Sequence, residues 1–452
     1  MIVSLVAAGL ALLPYLNEQK EQAEQGQARK SAAQKEAARK KAPERFFRFQ
    51  FTSKFKRPSI RLGDVLRVDF RVKQQFDFRL YEPVDRNDEV LFDYHRRRVG
   101  VEGLFLRHFE YEVERELEIR REPLDTDTLW RDIFVNFARF RILQVKVGRF
   151  KVPFGMDQLT GPTNLDFVYR SRIGDQIAPG RSTGLMVHGR LRPRLRYEIG
   201  LFRHDGDNAR FDDRTPDGEV EKNSGLRTVA GRLTAAPLRL LGRPKIFEEL
   251  EVGVAVASAT VPESQSSLRL RSFGRETLMD RFFVKGERRR TGLEFSWMPG
   301  PFSLKSEYAR VNEQRLAQSL LGLDLADYIM RAWYVSGTWC ITGEPKAPGV
   351  EPRREFVSGR GIGAVELGAR FEVMRFASDQ QTGTPSRSIR AANIRQNSDR
   401  AWTFGVNWYV NRWMKIQYNG IREKFEDVLA RTNPISGRAV YWMQVVRIQG
   451  IL

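Results

Sequence analysis

The 452-residue sequence has little of the chemistry that catalytic or metal-binding proteins need. It contains one cysteine and four histidines. Cys340 cannot form a disulfide within the chain and has no second thiol with which to bind zinc. No histidine is spaced as a metal ligand, and no motif of a metalloprotease, a serine hydrolase or a phosphate-binding loop is present. We therefore expect no cofactor, no metal site and no enzymatic activity.

Long hydrophobic runs are also scarce. Hydrophobic residues make up 41% of the chain and the mean hydropathy is −0.47. After residue 16, no run approaches the about 20 apolar residues that a membrane-spanning helix needs, which excludes a helical membrane protein. A β-barrel is not excluded, because its strands present an apolar face to lipid with only every second residue. The length suits two or three soluble domains or one large barrel.

The first 45 residues differ in composition from the rest. Residues 1–16 form a short apolar segment of the length of a secretory signal, too short to span a bilayer. We predict a signal peptide; an uncleaved anchor is the alternative, because no Lys or Arg precedes the run and no clear cleavage site follows it. Residues 17–45 are polar and charged, which predicts a short helical or disordered extension.

From residue 46 to residue 452, apolar and polar residues alternate, which predicts β-strands. Within 363–373, Val365, Leu367 and Phe371 share one parity, whereas Arg370 lies on the other. A Lys or Arg that faces lipid at mid-bilayer costs about 2–4 kcal/mol, so arginines confined to one parity indicate the lumen of a barrel. A soluble β-sandwich with one solvated face would show the same alternation.

The connections between the predicted strands alternate in length. Turns such as 138–141 are short and loops such as 153–183 are long, as in an up-and-down outer-membrane barrel. The connection 343–361 is long although it falls on the short side, so it is either a long turn or a sign of a miscounted strand. Taking 46–56 as an edge segment leaves about 16 strands, an even number. These strands are 64–80, 96–106, 108–119, 130–138, 141–152, 184–192, 195–203, 226–235, 249–260, 289–298, 301–311, 328–342, 362–376, 400–411, 413–423 and 438–450.

The net charge is +20, from 76 Lys and Arg against 56 Asp and Glu. An excess of this size implies an anionic partner. The arginines are spread along the whole chain rather than gathered in one tail or patch, which favours small anions over nucleic acid. Guanidinium groups suit this role, because they form bidentate hydrogen bonds with phosphate oxygens and stay charged at any relevant pH.

Several strings of the sequence resemble, in order, those of the phosphate-selective porin O/P family of bacterial outer membranes. They are RRRVGVEG (96–103), VKVGRFKVPFG (145–155), FVYRS (167–171), ITGEP (341–345), GAVELGARF (363–371) and GVNWYVN (405–411). The resemblance spans about residues 60–452. It implies a homotrimer of 16-stranded barrels in the outer membrane of a Gram-negative-type bacterium, in contact with lipid and lipopolysaccharide. It also implies a loop, at about 153–183, that folds inward and narrows the channel.

We therefore expect a passive outer-membrane porin for small anions, with inorganic phosphate or polyphosphate as the leading candidates. Strict alternation places Arg149 and Lys151 on the lipid parity, so their role requires a position at the rim or in a bulge. The candidate pore residues are Arg67, Arg71, Lys73, Arg96, Arg97, Arg98, Lys146, Arg149, Lys151, Arg170, Arg172, Arg181, Arg370, Lys415 and Arg447.

Two alternatives remain open at this point. Glu110, Glu112 and Glu114 fall on the lumen parity, so the predicted lumen is mixed in sign and its carboxylates are expected to pair with neighbouring arginines. Such a lumen also suits a general, non-selective porin. A basic β-rich adhesin or scaffold that binds anionic polymers is the alternative from a different class of protein.

Overall fold

The computed structural model describes the chain in fifteen segments, to which all structural statements below refer. They are residues 47–51, 58–82, 92–117, 129–192, 195–209, 228–240, 249–268, 270–274, 277–279, 281–347, 349–356, 361–378, 385–388, 397–427 and 439–452. The predicted signal peptide at 1–16 and the predicted extension at 17–45 lie outside the described residues. None of the helices in these segments is long and apolar enough to cross a membrane.

The period-two pattern produces twenty strands within the described segments. They are β1 Phe47–Phe51, β2 Pro58–Leu62, β3 Leu66–Glu82, β4 Phe92–Phe105, β5 Phe109–Glu116, β6 Trp130–Phe137, β7 Gln144–Lys151, β8 Arg181–Arg192, β9 Leu195–Phe202, β10 Thr228–Ala235, β11 Leu250–Ser266, β12 Leu270–Arg271, β13 Thr277–Met279, β14 Phe283–Trp297, β15 Phe302–Arg315, β16 Leu325–Cys340, β17 Ala364–Ser378, β18 Asn397–Tyr409, β19 Met414–Asp427 and β20 Val440–Ile451. The short helices are α1 Met156–Leu159 and α2 Pro237–Leu240, with a π-helical turn at Ile173–Ile177 and a 3-10 turn at Asp207–Ala209.

Sixteen of the described strands, β3–β11 and β14–β20, form a closed antiparallel barrel. Each pairs with the next along the chain, and β20 returns to β3 with Trp442 opposite Glu82 and Ile451 opposite Lys73. β12 and β13 form a separate two-stranded hairpin. The predicted all-β barrel of about 16 strands is confirmed, and each of the sixteen predicted strand ranges overlaps one observed barrel strand.

The seam between the last and first barrel strands is completed by the N-terminal strands. β20 ends beside the middle of β3, where Leu452 and Val72 exchange two backbone hydrogen bonds of 2.9 and 3.0 Å. Beyond that point β2 takes over as the neighbour of β3, with Ser59 opposite Asp69, and β1 pairs with β2. The predicted edge segment 46–56 therefore corresponds to strand β1, and β2 lies between it and the barrel.

The two faces of the barrel wall differ as the alternation predicts. Outward residues are apolar and exposed, such as Val147 at 54% and Phe404 at 58%. Inward residues include buried charges, such as Glu366 and Arg447, both at 0% exposure. Because a bilayer offers no hydrogen bonds to a charged group, this separation is what allows the sheet to lie in a membrane.

One outward position requires glycine. Tyr111 on β5 lies opposite Gly103 on β4 and reaches across that strand to donate a 2.9 Å hydrogen bond to the backbone oxygen of Arg67 on β3. A Cβ atom at Gly103 would lie 1.8 Å from that oxygen and 2.9 Å from the tyrosine hydroxyl. The missing side chain thus lets one tyrosine tie three strands together on the outer face.

The connections have a short-turn end, which holds the C-terminus, and a long-loop end. The connection between β16 and β17 lies at the short-turn end, yet it runs from residue 341 to residue 363. The irregular spacing predicted for 343–361 is therefore a genuine long turn and not a miscounted strand.

The barrel interior is filled on one side by residues 152–180, here called the inward loop. Its base is closed by a hydrogen bond from Val152 N to Gly180 O, 2.9 Å. Phe154 lies against Gly292, and Phe167 lies against Gly368 and Gly405, all on the inner face of the wall. Apolar side chains of the loop and the wall therefore form a core inside the barrel.

Candidate functional site

The inward loop divides the inner wall of the barrel into two regions. We call the inner faces of β14–β20 the covered wall, because most polar contacts of the loop lie there. The inner faces of β3–β10 are called the open wall, where such contacts are fewer, as in the 3.2 Å hydrogen bond from Gln75 to Pro162 O. A loop inside a barrel leaves its backbone groups away from bulk water, so they need partners from the wall. Asn419 accepts a 2.7 Å hydrogen bond from Val168 N, and Asn407 donates one of 2.8 Å to Asp166 O. The polar side chains of the covered wall therefore hold the loop.

Asp166 fixes the tip of the inward loop near the short-turn end. Its carboxylate accepts hydrogen bonds from Lys305 on β15, 2.7 Å, and from Lys346 in the long turn, 2.8 Å. Lys346 also pairs with Glu366 on β17. Burial alone would raise the pKa of Asp166, but the charges of Lys305 and Lys346 hold it well below its usual value. Burial alone would lower the pKa of Lys346, but the carboxylates of Asp166 and Glu366 raise it. The long turn is thus tied to the inward loop by charges that persist near neutral pH.

Four of the predicted pore residues anchor the inward loop to the covered wall. Arg447 is bidentate to Asp77, at 2.6 and 2.7 Å, and donates to Val168 O at 2.7 Å. Arg172 pairs with Asp399 at 2.6 Å and also with Glu423. The other two are Arg370, which donates to Tyr169 O and pairs with Glu372, and Lys415, which donates to Leu165 O.

A second loop rests on the first. The oxygen of Arg271, in the β12–β13 hairpin, accepts hydrogen bonds from Arg172 and from Gln176 of the inward loop. The ring of Phe273 lies 4.1 Å from the Arg172 guanidinium carbon. Arg172 is therefore held from both sides, by carboxylates of the covered wall and by the β12–β13 hairpin.

The open wall carries a row of paired charges. The β5 glutamates Glu112, Glu114 and Glu116 all face inward, as their parity predicts. Arg71 pairs with Glu112, Lys73 with Glu114, and Arg98 with Glu116 at 2.6 Å. The expected lumen of mixed sign, with carboxylates paired to neighbouring cations, is therefore present in this wall.

At the long-loop end of the open wall lies a group of six cations, here called the outer cluster. Its members are Arg96, Arg98, Arg131, Lys151, Arg170 and Arg181. Lys151 and Arg170 both donate to the backbone oxygen of Thr160, at 3.0 and 2.6 Å. Lys151 lies opposite Arg181 across the β7–β8 ladder, and both have the outward parity of Arg149. At this end of the two strands their side chains nevertheless turn to Thr160 O of the loop and to Asp132, so Lys151 has the position at the rim that its parity requires. Burial and the like charges of Arg181 and Arg98 lower the pKa of Arg170, although Asp157 and Asp175 oppose this shift.

Three members of the outer cluster have no carboxylate within ion-pair distance among the described residues. Arg96 donates to the Gln75 side-chain oxygen at 2.6 Å, whereas Lys151 and Arg170 donate only to backbone oxygens of the inward loop. The remaining members are paired, Arg98 and Arg131 with Glu116 and Arg181 with Asp132. The outer cluster is therefore an excess of positive charge at the long-loop end of the barrel.

The other predicted residues lie apart from the outer cluster. Arg67 faces inward near the short-turn end and pairs with Asp69 at 3.0 Å. Lys146 faces inward and lies 4.3 Å above the ring of Phe134. Arg149 has outward parity, as strict alternation requires, and donates to Asp207. Arg97 also has outward parity, with its guanidinium 4.7 Å from the ring of Tyr94, so it does not line the lumen.

Arg131, Lys305 and Lys346 also bind in the lumen, although they are not among the candidates predicted from the sequence. Counting alternation along β6 places Arg131 outward, but the register shifts between its two ends: Val113 pairs with Ile133, whereas Arg115 pairs with Trp130. The extra residue lets Arg131 turn to the inward Glu116 at 3.4 Å. Lys305 lies on the inward parity of its strand and could have been chosen from the pattern, but no sequence signal relates Lys346 to a loop far away in the chain.

A closed antiparallel barrel with an apolar outer face, a charged lumen and a loop folded inside it is the architecture of an outer-membrane porin. The chain belongs to the family of phosphate-selective porins O and P, whose sequence model matches residues 67–447. It is therefore a channel of the outer membrane and not an enzyme.

The chain is similar in sequence to a known porin and similar in fold to solved outer-membrane proteins. Porin O of Pseudomonas aeruginosa is 23% identical over 408 residues, which cover 82% of this chain and 84% of the relative. A loop-deletion mutant of OmpT from Vibrio cholerae superimposes with a TM-score of 0.51 at 11% identity, covering 85% of this chain and 99% of that one. OmpF of Salmonella typhi gives 0.51 at 10% identity, with coverage of 86% and 98%. These two structures support the fold alone.

Proposed function

We propose that this porin conducts small anions, with inorganic phosphate and short polyphosphates as the preferred solutes, along the open wall. The observation that carries the proposal is the outer cluster. Arg96, Lys151 and Arg170 make no ion pair among the described residues, so their charge remains available to a passing anion. Membership of a family named for phosphate selectivity supports the choice of phosphate.

The chemistry of the outer cluster suits staged transfer of a tetrahedral oxyanion. Arg96 and Arg170 offer planar hydrogen-bond donors to the oxygen atoms, and Lys151 adds a compact ammonium group. An anion that gives up part of its hydration shell can exchange it for these donors one at a time. Conduction requires binding that is favourable enough for entry and weak enough for exit, which several moderate contacts provide better than one deep site.

The outer face supports a proposal about partners. Its exposed apolar side chains, such as Val147, Leu201 and Phe404, suit contact with lipid chains. Arg97, outward at the long-loop end, offers a cation to the phosphate groups of lipopolysaccharide. We propose a homotrimer in keeping with the family resemblance. Cross-linking in detergent followed by mass determination should give three chains per particle, and a single chain would contradict the trimer.

Planar-bilayer recording tests the conduction proposal. In a potassium chloride gradient the reversal potential should have the sign of anion preference, and added phosphate should block the chloride current. The neutral variants Arg96→Gln, Lys151→Gln and Arg170→Gln should each reduce the preference and weaken the block. Arg97→Gln, which removes the same charge from the outer face, is the matched control.

Two results would contradict the proposal at different levels. Cation-selective current in the wild type would reject the anion preference but leave the porin intact. Unchanged reversal potential and unchanged phosphate block in all three lumen variants would show that the outer cluster does not select the solute.

A further inference from the structure

Three arginines lie on the outer face of the barrel, on the parity that otherwise carries apolar residues. They are Arg310 on β15, Arg331 on β16 and Arg375 on β17, and all three are exposed. Arg331 lies directly opposite Arg310 on one side and directly opposite Arg375 on the other. Because neighbouring strands are about 4.8 Å apart, these residues form a row about 10 Å long across the barrel wall, here called the arginine row.

The arginine row has no carboxylate within ion-pair distance among the described residues. Outward arginines on the flanking strands differ in this respect: Arg289 on β14 pairs with Glu287 at 3.2 Å, and Arg400 on β18 pairs with Glu426 at 3.2 Å. Like charges directly opposite each other on a sheet are destabilising. Since the described part of the chain supplies no counter-ion here, the arginine row needs anions from outside the protein.

The arginine row lies just beyond the apolar band of the outer face. On its short-turn side the wall carries outward aromatic rings, with the ring centres of Trp333 and Phe371 5.5 Å apart and those of Phe371 and Trp402 4.6 Å apart. The rings of Phe302 and Trp339, 5.8 Å apart, lie at the opposite edge of the band. Trp333 and Trp339 are separated by about 20 Å along β16, comparable with the roughly 25 Å band that aromatic girdles flank in outer-membrane barrels. The arginine row is therefore at the level of the lipid headgroups, on the side where the long loops face outside.

The surroundings of the arginine row suit a lipid better than a free ion. Planar guanidinium groups form paired hydrogen bonds with phosphate oxygens, and they are more weakly hydrated than ammonium groups. Directly below the row, the exposed side chains of Tyr308, Trp333 and Val335 offer an apolar surface. A phosphate that is joined to acyl chains gains from both contacts, whereas inorganic phosphate gains only from the cations.

We infer that the arginine row is a binding site for the phosphate groups of lipopolysaccharide, whose acyl chains lie against the aromatic rings below it. The inference rests on the proposed contact of the outer face with lipopolysaccharide and does not depend on the proposed conduction of anions. The membrane anchor of lipopolysaccharide carries more than one phosphate on a single headgroup. It can therefore bridge neighbouring arginines, which a phospholipid with a single phosphate does less well.

Binding of diphosphoryl lipid A to the purified porin in a non-ionic detergent tests the site, with native mass spectrometry as the measurement. Arg331→Gln removes the central charge and should raise the dissociation constant about tenfold, the effect of losing a hydrogen bond between charged groups. The triple variant Arg310→Gln, Arg331→Gln, Arg375→Gln should raise it at least about hundredfold. Unchanged binding in the triple variant would overturn the inference.

Arg289→Gln is the matched control. It removes the same charge from the same end of the outer face, but from an arginine that Glu287 already pairs. The dissociation constant should change by less than about threefold. An equal change in Arg289→Gln and Arg331→Gln would indicate general attraction to the basic surface, and the inference of a defined site would then be rejected.

The choice of ligand separates the possible sources of phosphate. Monophosphoryl lipid A should bind the wild type more weakly than the diphosphoryl form, and a large excess of inorganic phosphate should not displace lipid A. Displacement by inorganic phosphate would show a site for the free ion. Binding of phosphatidylglycerol as tight as that of diphosphoryl lipid A would show a site for any anionic lipid. Either result contradicts the assignment to lipopolysaccharide.

Heat-modifiable migration in gels shows whether the variants fold and supplies a second measurement. In lipid-free detergent the triple variant should unfold at a temperature no lower than the wild type, because opposed like charges have been removed. Added lipid A should raise the unfolding temperature of the wild type but not that of the triple variant, since a ligand stabilises only the protein that binds it. The same rise in both proteins would count against the site.

The outcomes also separate this inference from the proposed function. A wild type that binds no lipid A would reject the proposed contact with lipopolysaccharide and the inference together. Binding that is weakened by Arg97→Gln but not by the triple variant would reject the inference alone. A change in particle mass of the triple variant without added lipid would place the arginine row between subunits, which also excludes a lipid site there.

Discussion

The covered wall and the open wall of this barrel are built from the same residue types but use them differently. In the covered wall, Arg447 and Arg370 donate to loop carbonyls and to buried carboxylates. In the open wall, Arg96 and Lys151 have no carboxylate within ion-pair distance among the described residues. An arginine on the lumen parity is therefore not by itself a pore residue. What decides its role is whether the protein already supplies its counter-ion.

The largest expected effect comes from breaking a cation contact of the covered wall. Arg447→Met leaves Asp77, at 0% exposure, without its main partner. Removing one member of a buried pair should lower the free energy of unfolding by about 3–5 kcal/mol. Chemical denaturation in detergent micelles measures it. Arg400→Met, which removes a half-exposed arginine paired with Glu426 at 3.2 Å, should cost at most about 1 kcal/mol. Similar decreases in the free energy of unfolding of the two variants would contradict the expectation that the buried pair contributes more than the half-exposed pair.

A smaller effect is expected where the long turn meets the inward loop. Lys346→Met removes two hydrogen bonds to charged groups, but Asp166 keeps Lys305 as a partner. We expect a loss of about 1.5–3 kcal/mol in stability, together with noisier single-channel current as the loop tip gains freedom. Lys424→Met, at an exposed lysine, is the control. Quiet recordings from Lys346→Met would show that the tip is held without the long turn.

Raising the salt concentration should affect the anion preference of the open wall more than the stability that the covered wall provides, and this comparison needs no mutation. The screening length falls from about 10 Å at 0.1 M salt to about 3 Å at 1 M. The anion preference that depends on the open wall should decrease over this range, measured as permeability ratio. The denaturation midpoint, which reflects the buried pairs of the covered wall, should change little. A salt-independent permeability ratio would indicate selection by pore size rather than by charge.

The smallest effect is expected at the outward basic residues. Arg97→Gln and Arg149→Gln alter cations that do not share the inward parity of the open wall. The reversal potential should stay within the scatter of the wild type in both. A clear loss of anion preference in Arg149→Gln would mean that its side chain reaches the pore entrance through its contact with Asp207.

The sequence was sufficient to predict the barrel, because strand parity and connection length are local properties. It placed each of the sixteen strands, and it placed Glu112 and Glu114 inside the lumen beside basic residues. It could not assign partners. Whether Lys415 contacts an anion or the oxygen of Leu165 depends on the path of a loop that lies 250 residues earlier in the chain. The register shift on β6, which turns Arg131 inward, likewise leaves no mark on the alternating pattern.

The short strands β1 and β2 have a consequence for how the barrel avoids self-association. β4 pairs with one side of the Leu66–Asp69 part of β3, but β20 does not reach the other side, and β2 pairs there instead. Unpaired backbone at a strand edge is a template onto which a second chain can add. A variant that disrupts the β2 pairing, such as Ile60→Pro, would therefore be expected to aggregate during assembly even though every membrane-spanning strand is retained. The N-terminal strands thus protect the seam that the last strand cannot reach.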